Sequence, residues 1–421
     1  MDQRTFAGAG AWAWRTWFAA TLALAYSVIC ANADAPLTLN DALSRALAAD
    51  FAVPAARARV QGAEAGIRQA NRPLNPSVGV ELENFGGSGE HQGFNRLEST
   101  LFLQQTIELG NKRAARTDLA RTELGATRAR GAVRILDLLR QVEMAWVDVV
   151  AATAQVRVAE DRLMIAQQLQ REIGRRVEAG RDPQFTKSRA DAQVALEQIA
   201  VDQARATARI ARANLAGYWR GSPDFEVDLN AFETAVSQID GKTFNVDIAV
   251  LEAERETAGA RIGLERSRAV PDPAVRVGVR RFNEKGDSAL VAGVAVPLPI
   301  FDTNQGNIEK AQAERRAADL EVQSARRSLG RELTRLKSRL STSAAEAKRI
   351  ETEVIPRAEQ AVQLVREGLE RGAFSYIEFV DAQRTLNDAR LRRIEALRSF
   401  HQDNATVGRL TGRHTRLNTK R

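Results

Sequence analysis

Apolar residues step by three and four along one stretch without a break: Ile135, Leu138, Val142, Ala145, Val149, Ala152, Val156, Ala159, Leu163 and Ala166. Steps of that size keep side chains on one helix face, and the run is long enough for a coiled-coil seam. No proline occurs between Pro76 and Pro183. Residues 110–178 therefore read as one helix, which at about 1.5 Å per residue spans on the order of 100 Å. A second long helical pattern runs from Asn304 to Leu369. Pro356 lies inside it and predicts a bend, because proline removes a backbone hydrogen bond and crowds the preceding turn. Many seam positions are alanine, which lets helices pack closely side by side.

A different period precedes each long helix. Val78, Val80 and Leu82 alternate with Gly79, Glu81 and Glu83, and Val275, Val277 and Val279 alternate with Arg276, Gly278 and Arg280. Period two predicts strands. A further strand near Leu97–Ile107 alternates less cleanly, and Leu290–Val296 returns to end at Pro297-Leu298-Pro299. Gly86-Gly87-Ser88-Gly89 and Glu284-Lys285-Gly286-Asp287 supply turns. Pro76 and Pro273 open the two outgoing strands, a place where a missing amide donor is tolerated. Strands of about nine to eleven residues suit tilted crossings of a membrane. Four cannot close a barrel, for which about eight is the minimum. On pattern alone two readings stay open: several chains contribute strands, or the segments are two small soluble hairpins.

The plan is written twice. Asn75-Pro76-Ser77-Val78-Gly79-Val80 matches Asp272-Pro273-Ala274-Val275-Arg276-Val277 at an offset of 197 residues, and Glu178-Ala179-Gly180 matches Glu370-Arg371-Gly372 at an offset of 192. Ala190 and Ala382 keep the second offset. Each copy reads helix, strand, strand, long helix, tight turn, helix. The predicted organisation is a first repeat over residues 34–217, with a β-hairpin at about 77–107 and a helical tip near 180; a linker over 218–243; a second repeat over 244–412, with a hairpin at about 274–297 and a tip near 372; and a basic tail over 413–421.

Residues 1–33 read as a secretory signal peptide. Arg4 and Arg15 supply positive charge, Phe18 to Ala31 is apolar, and Ala31-Asn32-Ala33 fits a small-x-small cleavage site. Ser27-Val28-Ile29 lacks the leucine and the small residue expected before a lipid-modified Cys30. The mature chain is then expected to start at Asp34, outside the cytoplasm. No later stretch holds 18 uncharged apolar residues, so any membrane crossing would be by a β-barrel.

Composition narrows the chemistry. Cys30 is the sole cysteine, so a cleaved chain has no disulfide, thiolate metal site or cysteine nucleophile. His91, His401 and His414 are scattered, and one histidine without partners, as at His91, is not a metal site. Motifs for phosphate binding, zinc hydrolysis and serine hydrolysis are missing, so no catalytic residue, metal site or cofactor is expected. The net charge of +8 is spread among mixed signs, which predicts a solvated surface rather than a nucleic-acid face. Arg171, Arg175, Arg176, Arg390, Arg392 and Arg393 read in the same way, as solvated faces or interhelical pairs.

Signal peptide, duplicated plan and long helices together resemble the TolC-like outer-membrane efflux proteins, over about Leu37 to Gly412. Leu37-Thr38-Leu39-Asn40-Asp41-Ala42-Leu43 is similar to the family's opening segment. Gly372-Ala373-Phe374-Ser375-Tyr376-Ile377-Glu378-Phe379-Val380-Asp381-Ala382-Gln383-Arg384-Thr385-Leu386 is similar to its second helical tip. Glu83-Asn84-Phe85, Glu108-Leu109-Gly110-Asn111-Lys112-Arg113, Arg281-Phe282-Asn283-Glu284 and Pro297-Leu298-Pro299-Ile300-Phe301-Asp302 resemble the branch that serves cobalt–zinc–cadmium-type efflux, the CzcC-like proteins.

The resemblance implies an α+β fold and a homotrimer. Its 12-stranded outer-membrane β-barrel, four strands per chain, continues into a periplasmic α-helical barrel. The implied partners are a periplasmic adaptor (membrane fusion) protein, an inner-membrane proton-driven RND pump and outer-membrane lipid, with no nucleic acid. The implied function is a passive exit duct for divalent heavy-metal cations, without enzymatic chemistry. By residue type alone Glu378 and Asp381 read as an acidic helix start; the resemblance places them at the periplasmic aperture as a cation gate. Gly180 and Gly372 need left-handed turns, and the resemblance adds an adaptor contact there, flanked by Arg181, Phe374 and Ser375. The rival readings are the same channel carrying drugs, dyes or secreted protein, a periplasmic coiled-coil scaffold without a pore, and a basic nucleic-acid-binding coiled coil.

Overall fold

The computed structural model describes residues 36–235 and 245–414. The predicted signal peptide with Cys30, linker residues 236–243 and tail residues 415–421 lie outside the described residues. The first copy runs α1 (Leu39–Ala49), α2 (Ala52–Ala70), β1 (Ser77–Glu83), β2 (Glu98–Thr106), α3 (Lys112–Glu178) and α4 (Gln184–Gly217). After the short α5 (Asn230–Glu233), the second copy runs α6 (Val246–Arg268), β3 (Ala274–Phe282), β4 (Ser288–Ala295), α7 (Gln305–Arg349), α8 (Ile355–Arg371) and α9 (Tyr376–Thr411). No helix among the described residues is long and apolar enough to cross a membrane.

Each copy passes from strand to long helix through a left-handed asparagine. Asn111 (φ 60°) precedes α3 and Asn304 (φ 62°) precedes α7. Asparagine adopts this conformation more readily than other non-glycine residues. Both junctions are tied to the end of α6 or the loop after it. The Asn304 amide donates to the main-chain oxygen of Glu265 at 2.8 Å. The Leu109 N–H donates to Asp272 at 2.8 Å, and Lys112 pairs with the same carboxylate at 2.6 Å.

α3 is an unbroken helix of 67 residues. Its seam is buried at Ile135, Leu138, Val142, Val149, Ala152 and Ala159 and half-buried at the other four positions. A neighbouring stripe, Leu136, Leu139, Val147 and Val150, is buried too, against Leu43 of α1, Leu215 of α4, Phe232 of α5 and Leu397 of α9. The core therefore sits around the middle of α3. α1 is fixed there by a capping box between Thr38 and Asp41.

The long helix of the second copy differs. α7 stops at Arg349, Ile350–Val354 form a π-helical turn, and α8 starts with Pro356 in its first turn. The wider turn accommodates a ring that crowds the carbonyl four residues earlier and an amide that cannot donate. The predicted interruption is thus present, as a π turn on the N-terminal side of the proline.

The four strands form one antiparallel sheet in the order β1-β2-β3-β4. The central β2–β3 pair joins the two copies, with Leu101 opposite Val279 and Leu103 opposite Val277. β1 and β4 are its edges, and among the described residues neither has an outer partner.

Candidate functional site

The register sorts the sheet into two unlike faces. Val78, Leu103 and Val277 fall in one row and Val80, Leu101, Val279 and Leu290 in the next, all on one face. These side chains are 46–88% exposed. An apolar face this continuous marks a surface made to meet other apolar matter. The opposite face carries charge. Arg276 pairs with Glu81 at 2.7 Å, and Arg280 pairs with Glu83 at 2.7 Å and Glu98 at 2.8 Å. Arg280 also donates to the buried Thr100 hydroxyl at 3.0 Å. The Arg276 guanidinium lies 4.3 Å from the Phe102 ring centre. Phe102 occupies the space left by Gly79 and Gly278, where an added Cβ would overlap it. A mainly apolar face backed by a face that carries the charges is the pattern of membrane-barrel strands.

At the far end of the helices the two hairpin turns are built alike. Gly180 (φ 68°) ends the first and Gly372 (φ 77°) the second. The Arg181 N–H donates to the Arg176 oxygen at 2.8 Å, and the Ala373 N–H donates to the Gly368 oxygen at 2.8 Å. Both are six-residue Schellman closures, which need a left-handed residue. The Phe374 ring folds back onto Gly368, which has room only because it lacks a Cβ. The ring remains 43% exposed. Beneath the turns Leu169, Ile173, Ala190, Leu369, Tyr376 and Phe379 pack the hairpins together.

Ser375 caps α9. Its hydroxyl accepts from the Glu378 N–H at 3.4 Å, and the Glu378 carboxylate accepts from the Ser375 N–H at 2.6 Å. The Ser375 backbone N–H first, and the Ser375 side chain second, hold the Glu378 carboxyl below its ordinary value. Asp381 is exposed one turn further on, at the spacing that puts both carboxylates on one helix side. Gly180, Arg181, Gly372, Phe374, Ser375, Glu378 and Asp381 thus all lie at the same end of the helices.

Three details of the geometry go beyond the sequence reading. Arg176, read there as a solvated face or an interhelical pair, ties the two tips: its guanidinium holds Asp182 at 2.7 Å and donates to the Leu369 oxygen at 2.6 Å. Its place in the last helical turn, four residues before Gly180, was the available signal. Phe185 and Ile377, related by the tip offset of 192, are both exposed beside the turns. The cross-strand ion pairs needed the register of β1 to β3, which alternation alone does not fix. Among the described residues no three His, Cys, Asp or Glu side chains gather to hold a metal.

The family model described as outer membrane efflux protein matches residues 42–219 and 243–413. The chain is 34% identical over 390 residues to the cobalt-zinc-cadmium resistance protein CzcC of Cupriavidus metallidurans, covering 91% of each chain. It is 28% identical over 322 residues to the nickel-cobalt-cadmium resistance protein NccC of Alcaligenes xylosoxydans xylosoxydans, covering 73% of this chain and 72% of that one. The outer membrane protein VceC of Vibrio cholerae has a similar fold, with a TM-score of 0.74 at 20% identity, covering 89% of this chain and 96% of VceC.

Proposed function

The chain belongs to the outer membrane efflux protein family, and from that premise we propose that it is the outer-membrane duct of a tripartite pump that expels divalent heavy-metal cations. The observation that carries the duct is the two-faced sheet with two open edges. Four strands cannot close, whereas three chains joined β4 to β1 give a twelve-stranded barrel. In that trimer the apolar face meets lipid and the charged face lines water. α3, at about 1.5 Å per residue, extends the duct by on the order of 100 Å into the periplasm.

The tips of α3–α4 and α8–α9 then form the periplasmic end. Gly180, Arg181, Gly372, Phe374 and Ser375 meet the helical hairpin of an adaptor, and Glu378 and Asp381 of three chains ring the aperture. Such a ring attracts cations and repels anions. The energy comes from an inner-membrane RND pump; the duct lets the ion diffuse outward and does no bond chemistry. The metal cargo rests on the 34% identity to CzcC across nearly the whole chain.

The test is growth of a deletion strain and its complemented parent against zinc, cobalt, cadmium, nickel, copper and silver, beside dyes and antibiotics. Sensitivity confined to metals is the expected result. Sensitivity mainly to the organic panel would keep the duct and overturn its cargo.

A further inference from the structure

Glu83 and Glu98 face each other in register across β1 and β2. Both belong to the charged face of the sheet, and Arg280 from β3 reaches across to both, at 2.7 Å and 2.8 Å. The guanidinium is also tied to the Thr100 hydroxyl at 3.0 Å, so it lies along the wall. The Asn84 amide donates to Glu98 at 3.1 Å and holds that carboxylate in place. Two facing carboxylates with a neutral amide beside them are the hard oxygen donors that a divalent cation takes when it passes.

We infer that Arg280 is a resident cation that fills the space between Glu83 and Glu98, so that the duct does not retain its own cargo. The inference rests on the proposed function for which face lines the water and for the charge of what passes. Its chemistry is local. The guanidinium is permanently charged, donates to Glu98 and lies 2.7 Å from Glu83, so it offsets one of the pair's two negative charges at any physiological pH. Arg276, two rows from Arg280 on the same face, engages the single carboxylate of Glu81 at 2.7 Å. The wall stays polar and hydrated while its strand carboxylates are already engaged. A bare pair would add a binding step at a point where the mechanism needs only diffusion.

The test uses the full-length trimer purified in detergent, with Cd²⁺ as probe and binding read by titration calorimetry. Arg280→Gln is expected to gain one Cd²⁺ per chain over wild type, with an affinity at least tenfold above any wild-type binding. Arg280→Lys is expected to suppress that gain, and adding Glu83→Gln and Glu98→Gln to Arg280→Gln to abolish it. Heat-resistant trimers report assembly of each variant. Should Arg280→Gln not assemble, Glu83→Gln with Glu98→Gln in the otherwise wild-type chain still decides. Unchanged Cd²⁺ binding there supports a masked pair, and a lost site overturns it. Arg280→Gln trimers that assemble and gain no Cd²⁺ also overturn it. Because the readout is binding in detergent, a failure of the metal-cargo reading would appear separately, in the growth panel.

Discussion

Arg176 of α3 donates to the main-chain oxygen of Leu369 on α8 at 2.6 Å while it grips Asp182 beyond its own helix turn at 2.7 Å. One side chain therefore spans both hairpin tips. Charge-assisted hydrogen bonds of this kind contribute about 1.5–3 kcal/mol. Arg176→Ala is expected to speed amide exchange over Gly372–Phe379 by about tenfold or more, the factor that 1.4 kcal/mol corresponds to. Unchanged exchange there would mean that the apolar cluster around Ile173 and Phe379 alone holds the tips.

The aperture prediction has to separate charge from capping. Glu378 is both the capping partner of Ser375 and a gate candidate, so Glu378→Ala would fray α9 and confuse the two roles. Glu378→Gln keeps the cap, because glutamine serves the same position. Glu378→Gln with Asp381→Asn is expected to lower cation over anion permeability in planar bilayers while the trimer stays intact. Unaltered selectivity would remove both residues from the gate.

The cap also carries a pH dependence. The Glu378 carboxyl sits below its ordinary value of 4.5 because it accepts from Ser375. A depressed carboxyl adds stability above the unfolded value and loses it as pH falls through the folded one. Amide protection factors at the start of α9, corrected for the intrinsic pH dependence of exchange, should fall as pH drops below 4.5 in wild type and show no such step in Glu378→Gln.

His401 titrates in a different window. Its ring stacks on Phe232 with centroids 5.2 Å apart, and its Nε2 meets the Phe232 main-chain oxygen at 2.9 Å. Burial holds the imidazole below its ordinary value of 6.5. The unfolded chain takes up that proton first, so stability is complete above pH 6.5 and declines as pH drops toward the folded value, by at most about 1.4 kcal/mol per pH unit. His401→Phe should flatten this slope as pH falls below 6.5. An unchanged slope in urea unfolding would assign it to other groups.

Much of this architecture was legible in the chain. The three-and-four stepping from Ile135 to Ala166 announced α3, and the alternation at Val78–Leu82 and Val275–Val279 announced two outgoing strands, because each period maps directly onto one geometry. What stayed hidden depends on more than one element. Leu136, Leu139 and Val147 lie beside the seam and are buried only because α1, α5 and α9 close over them. The contact of Arg176 with Leu369 spans 193 residues of sequence, and no local pattern specifies it. Glu378 was read as a helix start and, by resemblance, as a gate. The structure adds its hydrogen bonds with Ser375, and only measurement assigns the gate.

Phe374 offers a direct test of the adaptor contact. Its ring rests on Gly368 and is still partly exposed. Phe374→Ala should weaken adaptor binding by about thirtyfold or more while trimers form normally, since truncating an aromatic hot spot at an interface costs about 2 kcal/mol or more. Full co-purification would place the docking surface elsewhere, with the exposed Phe185 and Ile377 as the next positions to truncate.

The central claim is that this chain lets divalent metal ions leave across the outer membrane. The measurement that tests it most directly is efflux of radioactive zinc and cobalt from preloaded cells, comparing the deletion strain, the complemented strain and a strain with the pump removed. The account predicts that losing this chain slows metal efflux as much as losing the pump, with ions held in the cell envelope. Metal efflux at the parental rate without this chain would contradict it.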